Sequence, residues 1–314
     1  MNKQITNSVL MIRPVQFRMN EQTAVNNYYQ KKIKDLKPVE VNRLAAQEFD
    51  ALVDKLRSVG IHVIVVNDTK EFDTPDSIFP NNWISFHHNG TAALYPMFAE
   101  NRRYERKESI LEAVEQNGFF IEHIIDYSAA EQEEVFLEGT GSIILDRENR
   151  KAYCALSPRA DEALFIEFCE DFDFFPVLFS AYQPVGLKRK KIYHTNVMMC
   201  IGTNFALVCL NSIDDKKERK NLVNHLRQSN KDIIDLTENQ INQFAGNMLQ
   251  LSGADQKSYL VMSQSSFDSL RADQRTQLEK HTTLISSPLD TIEVCGGGSA
   301  RCMMAEIFLP KVTN

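Results

Sequence analysis

The feature that most constrains the fold of this chain is an internal repeat that begins each time with an aromatic residue. The four aromatic residues lie 57, 57 and 51 residues apart. Each segment continues into a short apolar strand, a polar turn and a second apolar strand, which is typical of a β-hairpin. The segments are Phe79-Pro80-Asn81-Asn82, Phe136-Leu137-Glu138-Gly139, Tyr193-His194-Thr195-Asn196 and Phe244-Ala245-Gly246-Asn247. A repeat of this length predicts a recurring supersecondary unit.

A helix and a third strand are predicted after each hairpin. The helical patterns fall at 104–117, 159–171, 215–228 and 264–280, and the third strands fall at 120–125, 174–179, 232–235 and 283–285. The recurring unit is therefore ββαβ, and the fold class is α/β. The alternative is chance similarity within an α/β chain, which four aligned units with nearly one spacing disfavour.

The two ends of the chain supply the parts of a fifth unit. This unit begins at 292–295 and has a hairpin strand at 303–309, but the chain ends before its helix. Elements near the N-terminus would complete it: a strand at 8–13, a helix at 41–58 and a strand at 61–66. We predict a single catalytic domain over residues 1–314, a five-bladed αβ propeller with pseudo-fivefold symmetry. Such closure leaves no exposed sheet edge.

Equivalent positions of the units in such a ring would face one central axis. The residues at the hairpin starts would then surround one pocket: Asn82, Glu138 or Gly139, His194, Asn196, Asn247 and the loop from Gly296 to Cys302. A pocket of this kind combines a thiol, an imidazole, a carboxylate and several amides. These groups are the ingredients of covalent catalysis.

Cys302 is the candidate nucleophile because it follows a run of three glycines. Glycine permits positive φ angles and a close approach of the backbone to a ligand. The alternative for Cys302 is a small buried hydrophobic residue beside a tight turn. Cys295, just before the glycines, is the second thiol. His194 stands at a junction aligned with the repeat, which favours general acid–base catalysis over a structural role.

Composition and charge disfavour several other classes of protein. The net charge is −7 and no long basic run is present, which argues against nucleic acid as a partner. No segment has the apolar length of a membrane span, and no apolar signal core follows the N-terminus. The six cysteines form no CxxC pair, so we expect a cytoplasmic protein with reduced thiols and no zinc site.

Several motifs together resemble the guanidino-group-modifying superfamily of arginine deiminases, dimethylarginine hydrolases and glycine amidinotransferases. In chain order they are Pro75 to Asn82, Asn101 to Glu105, Leu137 to Gly141, His194 to Asn196 and the glycine loop with Cys302. The resemblance covers nearly the whole chain. It implies the pentein fold, which is the five-bladed αβ propeller.

The resemblance also implies roles for individual residues. Cys302 would be the nucleophile, His194 the general acid and base, and Glu138 the carboxylate of the pocket. Either Arg102 or Arg103 matches an arginine that binds a substrate carboxylate, and Arg103 is taken as the candidate; a solvated helix start is the alternative for both. Neither a metal nor an organic cofactor is implied.

Two asparagines depart from the pattern of the arginine-processing relatives. Those enzymes usually have aspartate at the positions of Asn82 and Asn196, where two carboxylates clamp a guanidinium. Amides suit a neutral ureido group, which has NH donors and a carbonyl acceptor. The pattern is most similar to the citrulline-utilisation hydrolases, so the expected reaction converts citrulline and water into ornithine, carbon dioxide and ammonia. Asp76, a carboxylate able to hold a cation, and Asn247 complete the substrate-binding candidates.

Two other functions remain open from the sequence. One is a guanidino-substrate enzyme of the same fold, such as an arginine deiminase, an amidinotransferase or an agmatine-like hydrolase. The other is a non-catalytic binding protein on the same propeller, which would leave Cys302, His194 and Glu138 without a shared purpose. The expected partner is a small amino-acid substrate, with no nucleic acid and no membrane. The sequence leaves the oligomeric state open, and a homo-oligomer is compatible with it.

Overall fold

A computed structural model describes residues 3–312 of the chain as an α/β fold. The strands in these residues are β1 (Ser8–Arg13), β2 (His62–Asn67), β3 (Ile84–Phe86), β4 (Thr91–Leu94), β5 (His123–Asp126), β6 (Ile143–Asp146), β7 (Lys151–Ala155), β8 (Phe175–Phe179), β9 (Tyr182–Val185), β10 (Lys188–Lys191), β11 (Met199–Ile201), β12 (Phe205–Val208), β13 (Asp232–Asp235), β14 (Leu249–Ser252), β15 (Ser258–Ser263), β16 (Thr283–Ser287) and β17 (Ala305–Glu306). The helices are α1 (Pro38–Ser58), α2 (Glu100–Arg103), α3 (Glu108–Gln116), α4 (Gly139–Ser142), α5 (Glu162–Asp171), α6 (Lys216–Gln228), α7 (Glu238–Ile241), α8 (Gln264–Ser269), α9 (Ala272–Glu279) and α10 (Asp290–Gly296).

The described strands form five three-stranded sheets and one separate hairpin of β9 and β10. The sheets are β17-β1-β2, β3-β4-β5, β6-β7-β8, β11-β12-β13 and β14-β15-β16. In every one, the first strand pairs antiparallel with the second, and the second pairs parallel with the third. The repeat read from the sequence therefore corresponds to one recurring sheet topology. The hairpin of β9 and β10 was not expected from it.

The first and last parts of the chain meet in one of these sheets. Val9 of β1 pairs with Glu306 of β17, while β1 runs parallel to β2. Contacts also join the first strands of neighbouring units, because β17 lies beside β3, β6 beside β11, and β11 beside β14. The arrangement of all five sheets around a single axis stays a prediction.

Helix α1 packs against the sheet that joins the two ends of the chain. It begins with Pro38, whose missing N–H is tolerated in the first turn of a helix. One face is buried, with side chains at three- and four-residue spacing: Val41, Ala45, Phe49, Leu52, Val53 and Leu56. The helix stops before Gly60, which has φ +79°, and a Cβ there would lie only 2.3 Å from the Cβ of Ala254. Glycine is therefore required at this turn.

Two predicted helices differ from those in the structure. The helix expected at 104–117 is the shorter α3, with the separate helix α2 before it, and the helix expected at 264–280 is broken between α8 and α9. At that break Leu270 is extended, with ψ 133°, and its side chain is buried. The side chain of Gln274 accepts a hydrogen bond from Arg271 N at 3.0 Å, which starts α9 as a new helix.

The segment predicted to begin the fifth unit is part of a helix. Residues 292–295 belong to α10, whose first turn is anchored because Thr291 N and Ile292 N donate to the side chain of Glu48 at 2.9 and 3.0 Å. The strand predicted at 303–309 is reduced to β17. The backbone before it is bonded within its own turn, since Met303 N donates to the carbonyl oxygen of Ala300 at 3.2 Å.

The segments that precede the first strands form short helical turns. These turns cover Pro80–Asn82 before β3, α4 before β6, and Thr195–Val197 before β11. Helix α4 contacts both of the other turns. The hairpin starts of three units therefore meet in one place. Within residues 3–312, no helix combines the length and apolar character needed to cross a membrane.

Candidate active site

Two glycines of α4 allow the three hairpin starts to approach one another. A Cβ on Gly139 would lie 2.4 Å from the carbonyl oxygen of Asn81, and Gly139 has φ +45°. A Cβ on Gly141 would lie 2.5 Å from Asn82 Nδ2 and 2.8 Å from His194 Nδ1. Side chains cannot be accommodated at these positions. The glycines therefore bring an amide and an imidazole against the segment that carries Glu138.

Glu138 and His194 form a buried pair. His194 Nε2 lies 2.7 Å from Glu138 Oε2, and the two side chains are 2% and 0% exposed. The same carboxylate oxygen lies 3.4 Å from Arg159 Nη1, while Glu138 Oε1 accepts a hydrogen bond from Phe98 N at 3.0 Å. The carboxylate thus holds the imidazole in one orientation.

The charges near this pair determine its protonation. Burial acts to raise the pKa of Glu138, but Arg159, His194 and Arg102 oppose it and hold that pKa well below its usual range. Burial lowers the pKa of His194 to about 4, although the hydrogen bond to Glu138 acts in the other direction. Because the arginines already balance the carboxylate, the imidazole does not need to be charged. At neutral pH the pair is a carboxylate beside a neutral imidazole.

The sulfur of Cys302 is held by two amides. Asn247 Nδ2 donates to Cys302 Sγ at 3.1 Å and Asn196 Nδ2 donates to it at 3.4 Å. Asn247 Oδ1 also accepts a hydrogen bond from Cys302 N at 3.3 Å, so Asn247 is hydrogen-bonded to both the side chain and the backbone of Cys302. Donors of this kind stabilise negative charge on a sulfur atom. Asn196 Oδ1 has no hydrogen-bond partner within the described residues.

The glycine run before Cys302 is fixed by residues distant in sequence. Gly297, with φ +61°, ends α10, and its carbonyl oxygen accepts a hydrogen bond from Tyr193 Oη at 2.5 Å. The carbonyl oxygen of Gly296 accepts from Asn27 Nδ2 at 3.2 Å and from Gln30 Nε2 at 2.9 Å. The loop that positions the thiol is thus tied to the segment between β1 and α1.

Of the two candidate arginines, the structure brings Arg102 to the site. Arg102 is buried and donates from Nη1 to Asn82 Oδ1 at 2.7 Å, and it also forms an ion pair with Glu105 at 2.9 Å. Arg103 instead lies 3.5 Å from Glu131, with its side chain 29% exposed. The structure therefore does not place Arg103 with the other predicted substrate-binding residues. Adjacent residues of a short helix point in different directions, which explains the difference.

Asp76 is a buried carboxylate with one free oxygen. Its Oδ2 accepts hydrogen bonds from Asn20 Nδ2 at 2.8 Å and Thr23 Oγ1 at 3.0 Å. Its Oδ1 has no partner in the part of the chain that is described. Burial raises the pKa of Asp76, and Arg102 opposes that shift. Asp76 thus lies near Arg102 but retains hydrogen-bonding capacity.

Sequence reasoning missed Arg159 and the segment at 20–30. Arg159 is buried and connects Glu138 to this segment, because its Nη2 donates to the carbonyl oxygen of Thr23 at 2.8 Å and its Nε donates to Asn26 Oδ1 at 2.9 Å. Several amide side chains within one loop were a usable signal for the segment. Arg159 follows a turn and no local pattern marks it.

Cys295 forms no described hydrogen bond with Cys302, His194 or Glu138 within residues 3–312. It belongs to α10, is 1% exposed and lines a cavity of about 430 Å³ together with Ile33 and Leu36. Burial raises the pKa of its thiol. Within residues 3–312, no cluster of three histidine, cysteine, aspartate or glutamate side chains is arranged to hold a metal ion.

Comparison with known families identifies the chain. A family model described as N,N-dimethylarginine dimethylhydrolase, eukaryotic, matches residues 13–309. The chain belongs to this family. The prediction of membership in the guanidino-group-modifying superfamily is thereby confirmed. A comparison with curated proteins finds no matching sequence.

Solved structures with the same fold include two longer proteins. ArgZ, an arginine dihydrolase from the ornithine–ammonia cycle in cyanobacteria, has a TM-score of 0.72 and 18% identity, and the match covers 97% of this chain and 41% of ArgZ. AgrE in complex with ornithine and NAD⁺ has a TM-score of 0.72 and 17% identity, covering 98% of this chain and 40% of AgrE. The chain thus spans about two fifths of each of these proteins.

A third solved structure is matched over its full length. Dimethylarginine dimethylaminohydrolase, solved as an adduct with S-methyl-L-thiocitrulline, has a TM-score of 0.64 and 14% identity, and the match covers 98% of this chain and 100% of that chain. The isolated N-terminal domain of ArgZ is covered to 99%, with a TM-score of 0.71 and 18% identity. These similarities show that this chain has the same α/β fold as the solved structures.

Proposed function

We propose that this protein is a cysteine-dependent hydrolase of a ureido C–N bond, converting citrulline and water into ornithine, carbon dioxide and ammonia. The observation that carries the proposal is the neutral amide environment of the Cys302 sulfur. Asn196 and Asn247 both donate to that sulfur, and Asn196 keeps an amide oxygen without a partner among the described residues. A ureido group offers NH donors to such an oxygen and brings no charge.

The charges around the site support a neutral reacting group. Glu138 is already close to two cations, with Arg159 at 3.4 Å and Arg102 at 4.0 Å. A guanidinium would therefore find no free charge on Glu138, and the buried carboxylate left for it is Asp76, since Glu105 is paired with Arg102. Desolvating a cation without a counter-charge is costly, whereas a ureido group avoids that cost.

The proposed reaction begins with attack by sulfur on the ureido carbon. Because His194 is a neutral imidazole at neutral pH, it takes the proton of the Cys302 thiol and then donates it to the leaving nitrogen. The C–N bond breaks and a carbamoyl group remains on sulfur. His194 next removes a proton from water, which attacks the carbamoyl carbon and breaks the S–C bond. The released carbamate decomposes to carbon dioxide and the second nitrogen product.

Other residues have supporting roles in the proposal. Glu138 orients the imidazole through the 2.7 Å contact. Asn196 and Asn247 stabilise charge on the sulfur. Asn82 contributes through Arg102, since its Oδ1 already accepts from that guanidinium at 2.7 Å. Asp76 remains a substrate-binding candidate because its Oδ1 is free among the described residues.

A guanidino substrate is the second candidate, and Asp76 is the observation that favours it. Its free oxygen is a carboxylate acceptor able to receive a guanidinium NH group. The arginine dihydrolase activity of ArgZ agrees with this alternative. A deiminase or an amidinotransferase belongs to the same alternative. A non-catalytic binding protein is less well supported, because it gives no role to the buried Glu138–His194 pair or to the two amides that donate to Cys302 Sγ.

We also propose a domain organisation and a cellular location for the whole molecule. Residues 1–314 would form one catalytic domain in which the five sheets surround a single axis as a propeller. The contacts between first strands and the pairing of β17 with β1 support this arrangement. The thiolate and imidazole supply the chemistry, so the proposal includes no metal or organic cofactor. A cytoplasmic location would keep the six free cysteines reduced.

The test is an assay of ornithine and ammonia with purified protein and either L-citrulline or L-arginine. We expect ornithine from citrulline, no turnover by Cys302→Ala, and retained turnover by Cys295→Ala, the matched thiol outside the site. Citrulline released from arginine would replace the ureido proposal with a deiminase. Equal loss in both cysteine variants would remove Cys302 as the specific nucleophile, and activity of Cys302→Ala would reject covalent catalysis altogether.

A further inference from the structure

A second polar cavity lies at the opposite end of the strands from Asn82 and Glu138. It has a volume of about 280 Å³ and lies between the turn that follows β3 and the turn that follows β6. Its walls include His87, His88, Asn89, Arg147, Arg150 and Phe172. Two of these side chains are arginines and none is acidic, while burial lowers the pKa of both histidines and keeps them neutral. The two arginines therefore give the cavity a positive charge that favours an anion.

Arg147 is the unusual residue of this cavity. It is 2% exposed, yet its guanidinium donates no hydrogen bond and forms no ion pair with any residue between 3 and 312. Its guanidinium carbon lies 3.9 Å from the centre of the Phe308 ring. An aromatic face attracts the cation but accepts none of the in-plane N–H groups. A guanidinium that lines a cavity and has no described protein acceptor can donate its N–H groups to a bound anion.

The nearby carboxylates are already paired with other cations. Glu306 lies 2.9 Å from Arg301 and Asp173 lies 3.7 Å from Arg150. Asp146, which precedes Arg147, lies 3.3 Å from the buried Lys231. These contacts leave Arg147 without a dedicated counter-charge from the described part of the protein.

The remaining walls supply a second arginine and a flat apolar side. His87 Nε2 lies 2.8 Å from Ser85 Oγ, and burial holds the pKa of His87 well below its usual range. The His87 ring stacks on Phe172 with centroids 3.9 Å apart. Arg150 is held over the ring of Phe174 at 4.2 Å and donates from Nε to the carbonyl oxygen of Asp173 at 3.1 Å. Basic and aromatic groups together suit an oxyanion on a small molecule.

We propose that this cavity binds a small oxyanion of the phosphate class, with the Arg147 guanidinium as its main donor and Arg150, His87 and His88 beside it. Guanidinium groups match the tetrahedral oxygens of phosphate with paired N–H groups. The phosphate is either free in solution or part of a small organic phosphate, for which Phe172 and Phe174 provide an apolar wall. The site is separate from the thiol and independent of the ureido proposal.

The experiment is calorimetric titration of the full chain with inorganic phosphate at constant ionic strength. Arg147→Met removes the charge but keeps an apolar stem, and we expect it to weaken phosphate binding by about tenfold or more, as loss of a charge-assisted hydrogen bond predicts. Arg43→Gln, on the exposed face of α1, is the control and should bind as the unaltered protein does. Low millimolar phosphate avoids the general stabilisation that concentrated phosphate produces.

Thermal unfolding keeps the test valid if Arg147→Met changes stability. The unaltered protein should show a melting temperature that rises with phosphate, as binding to the folded state requires, whereas Arg147→Met should not. The same phosphate-dependent rise in both proteins would overturn the proposal, as would absence of binding to the unaltered protein.

Two further probes separate the sources of the anion. Tighter binding of phenyl phosphate than of inorganic phosphate would assign a small organic phosphate, and equal binding would assign free phosphate. Tighter binding of acetate than of either would reject the phosphate class.

Discussion

At the scale of single residues, the charged groups of the candidate site surround Glu138, whereas neutral amides surround the candidate nucleophile. The carboxylate of Glu138 is balanced by Arg159 and Arg102, whereas the sulfur of Cys302 meets only amide donors among its described hydrogen bonds. The preference for a neutral or a cationic substrate should therefore depend on the residues that contact the sulfur. Of the two asparagines that depart from the arginine-processing pattern, Asn196 contacts the sulfur itself, whereas Asn82 contacts the guanidinium of Arg102.

Asn196→Asp should shift the protein from citrulline toward arginine. The change replaces a donor to Cys302 Sγ, now at 3.4 Å, with a carboxylate that repels the thiolate and attracts a guanidinium. We expect citrulline kcat/KM to fall by about 10- to 100-fold, as loss of a hydrogen bond to a charged group predicts. Arginine should bind more tightly, which competition against citrulline measures.

Asn82→Asp is the matched control for that change. Its new carboxylate would form an ion pair with Arg102, whose Nη1 is 2.7 Å from Asn82 Oδ1, so it should alter arginine binding less. The substrate argument is wrong if Asn196→Asp leaves arginine binding unchanged.

His194 should make the free energy of unfolding depend on pH. Its pKa is lowered to about 4 in the folded protein, so the unfolded chain takes up its proton first as pH falls. The stabilisation is fully present above about pH 6.5 and is lost as pH falls to about 4, with a total of about 3 kcal/mol. Urea unfolding at several pH values should show a shallower fall for His194→Gln than for the unaltered protein.

The exposed His123→Gln is the control in that series and should reproduce the unaltered curve. An equally steep fall in His194→Gln would show that the imidazole is not held neutral by its surroundings.

At the scale of the elements, short turns do the positioning. Helix α4 brings Glu138 to His194 because Gly139 and Gly141 leave room, and Gly297, with its positive φ, follows α10 and turns the chain toward Cys302. The connection from α1 to β2 depends on Gly60 in the same way. Substitutions at glycines can distinguish the cost of a positive φ angle from the cost of a steric clash with a neighbouring residue.

Gly60→Ala should lower the free energy of unfolding more than Gly118→Ala. Both residues have positive φ, +79° and +84°, so each substitution carries a backbone cost of about 1 kcal/mol. Only Gly60 also packs closely, with its added Cβ 2.3 Å from the Cβ of Ala254, whereas no described atom lies within 4 Å at Gly118. We expect a total of about 2 to 4 kcal/mol for Gly60→Ala, measured by urea unfolding. Equal losses in the two variants would mean that Ala254 moves away freely.

At the scale of the whole molecule, closure of the chain is the main feature. Its two ends pair in the sheet β17-β1-β2, and buried side chains beyond β17, including Ile307 and Leu309, pack into the core. Burying side chains of this size contributes about 1.5 to 3 kcal/mol each. Such a contribution is large against the total stability of an ordinary domain.

A single domain should unfold in one transition. Trp83, the one tryptophan in the sequence, is buried beside β3 and reports on one unit, whereas far-ultraviolet circular dichroism reports on all helices. We expect the urea transitions from tryptophan fluorescence and from circular dichroism to coincide. Separate midpoints would contradict the prediction of one domain over residues 1–314.

The sequence by itself determined the elements that depend on local periodicity. The spacing of the aromatic junctions predicted the hairpins, and the apolar face of α1 predicted that helix to within a few residues of its start. It also selected Glu138, His194, Asn196, Asn247 and Cys302, which the structure joins in two groups of contacts. Local patterns carry this information because neighbouring residues share one strand or one helix face.

Only the tertiary structure decided which charged groups meet. It brought Arg102 rather than Arg103 to Asn82, and it joined Arg159 to Glu138 and to the loop near Asn26. It also made 292–295 helical, because Glu48 of α1 accepts hydrogen bonds from the first turn of α10. These partners are far apart in the chain, so no local pattern encodes them. Their protonation likewise depends on burial, which exists only once the chain has folded.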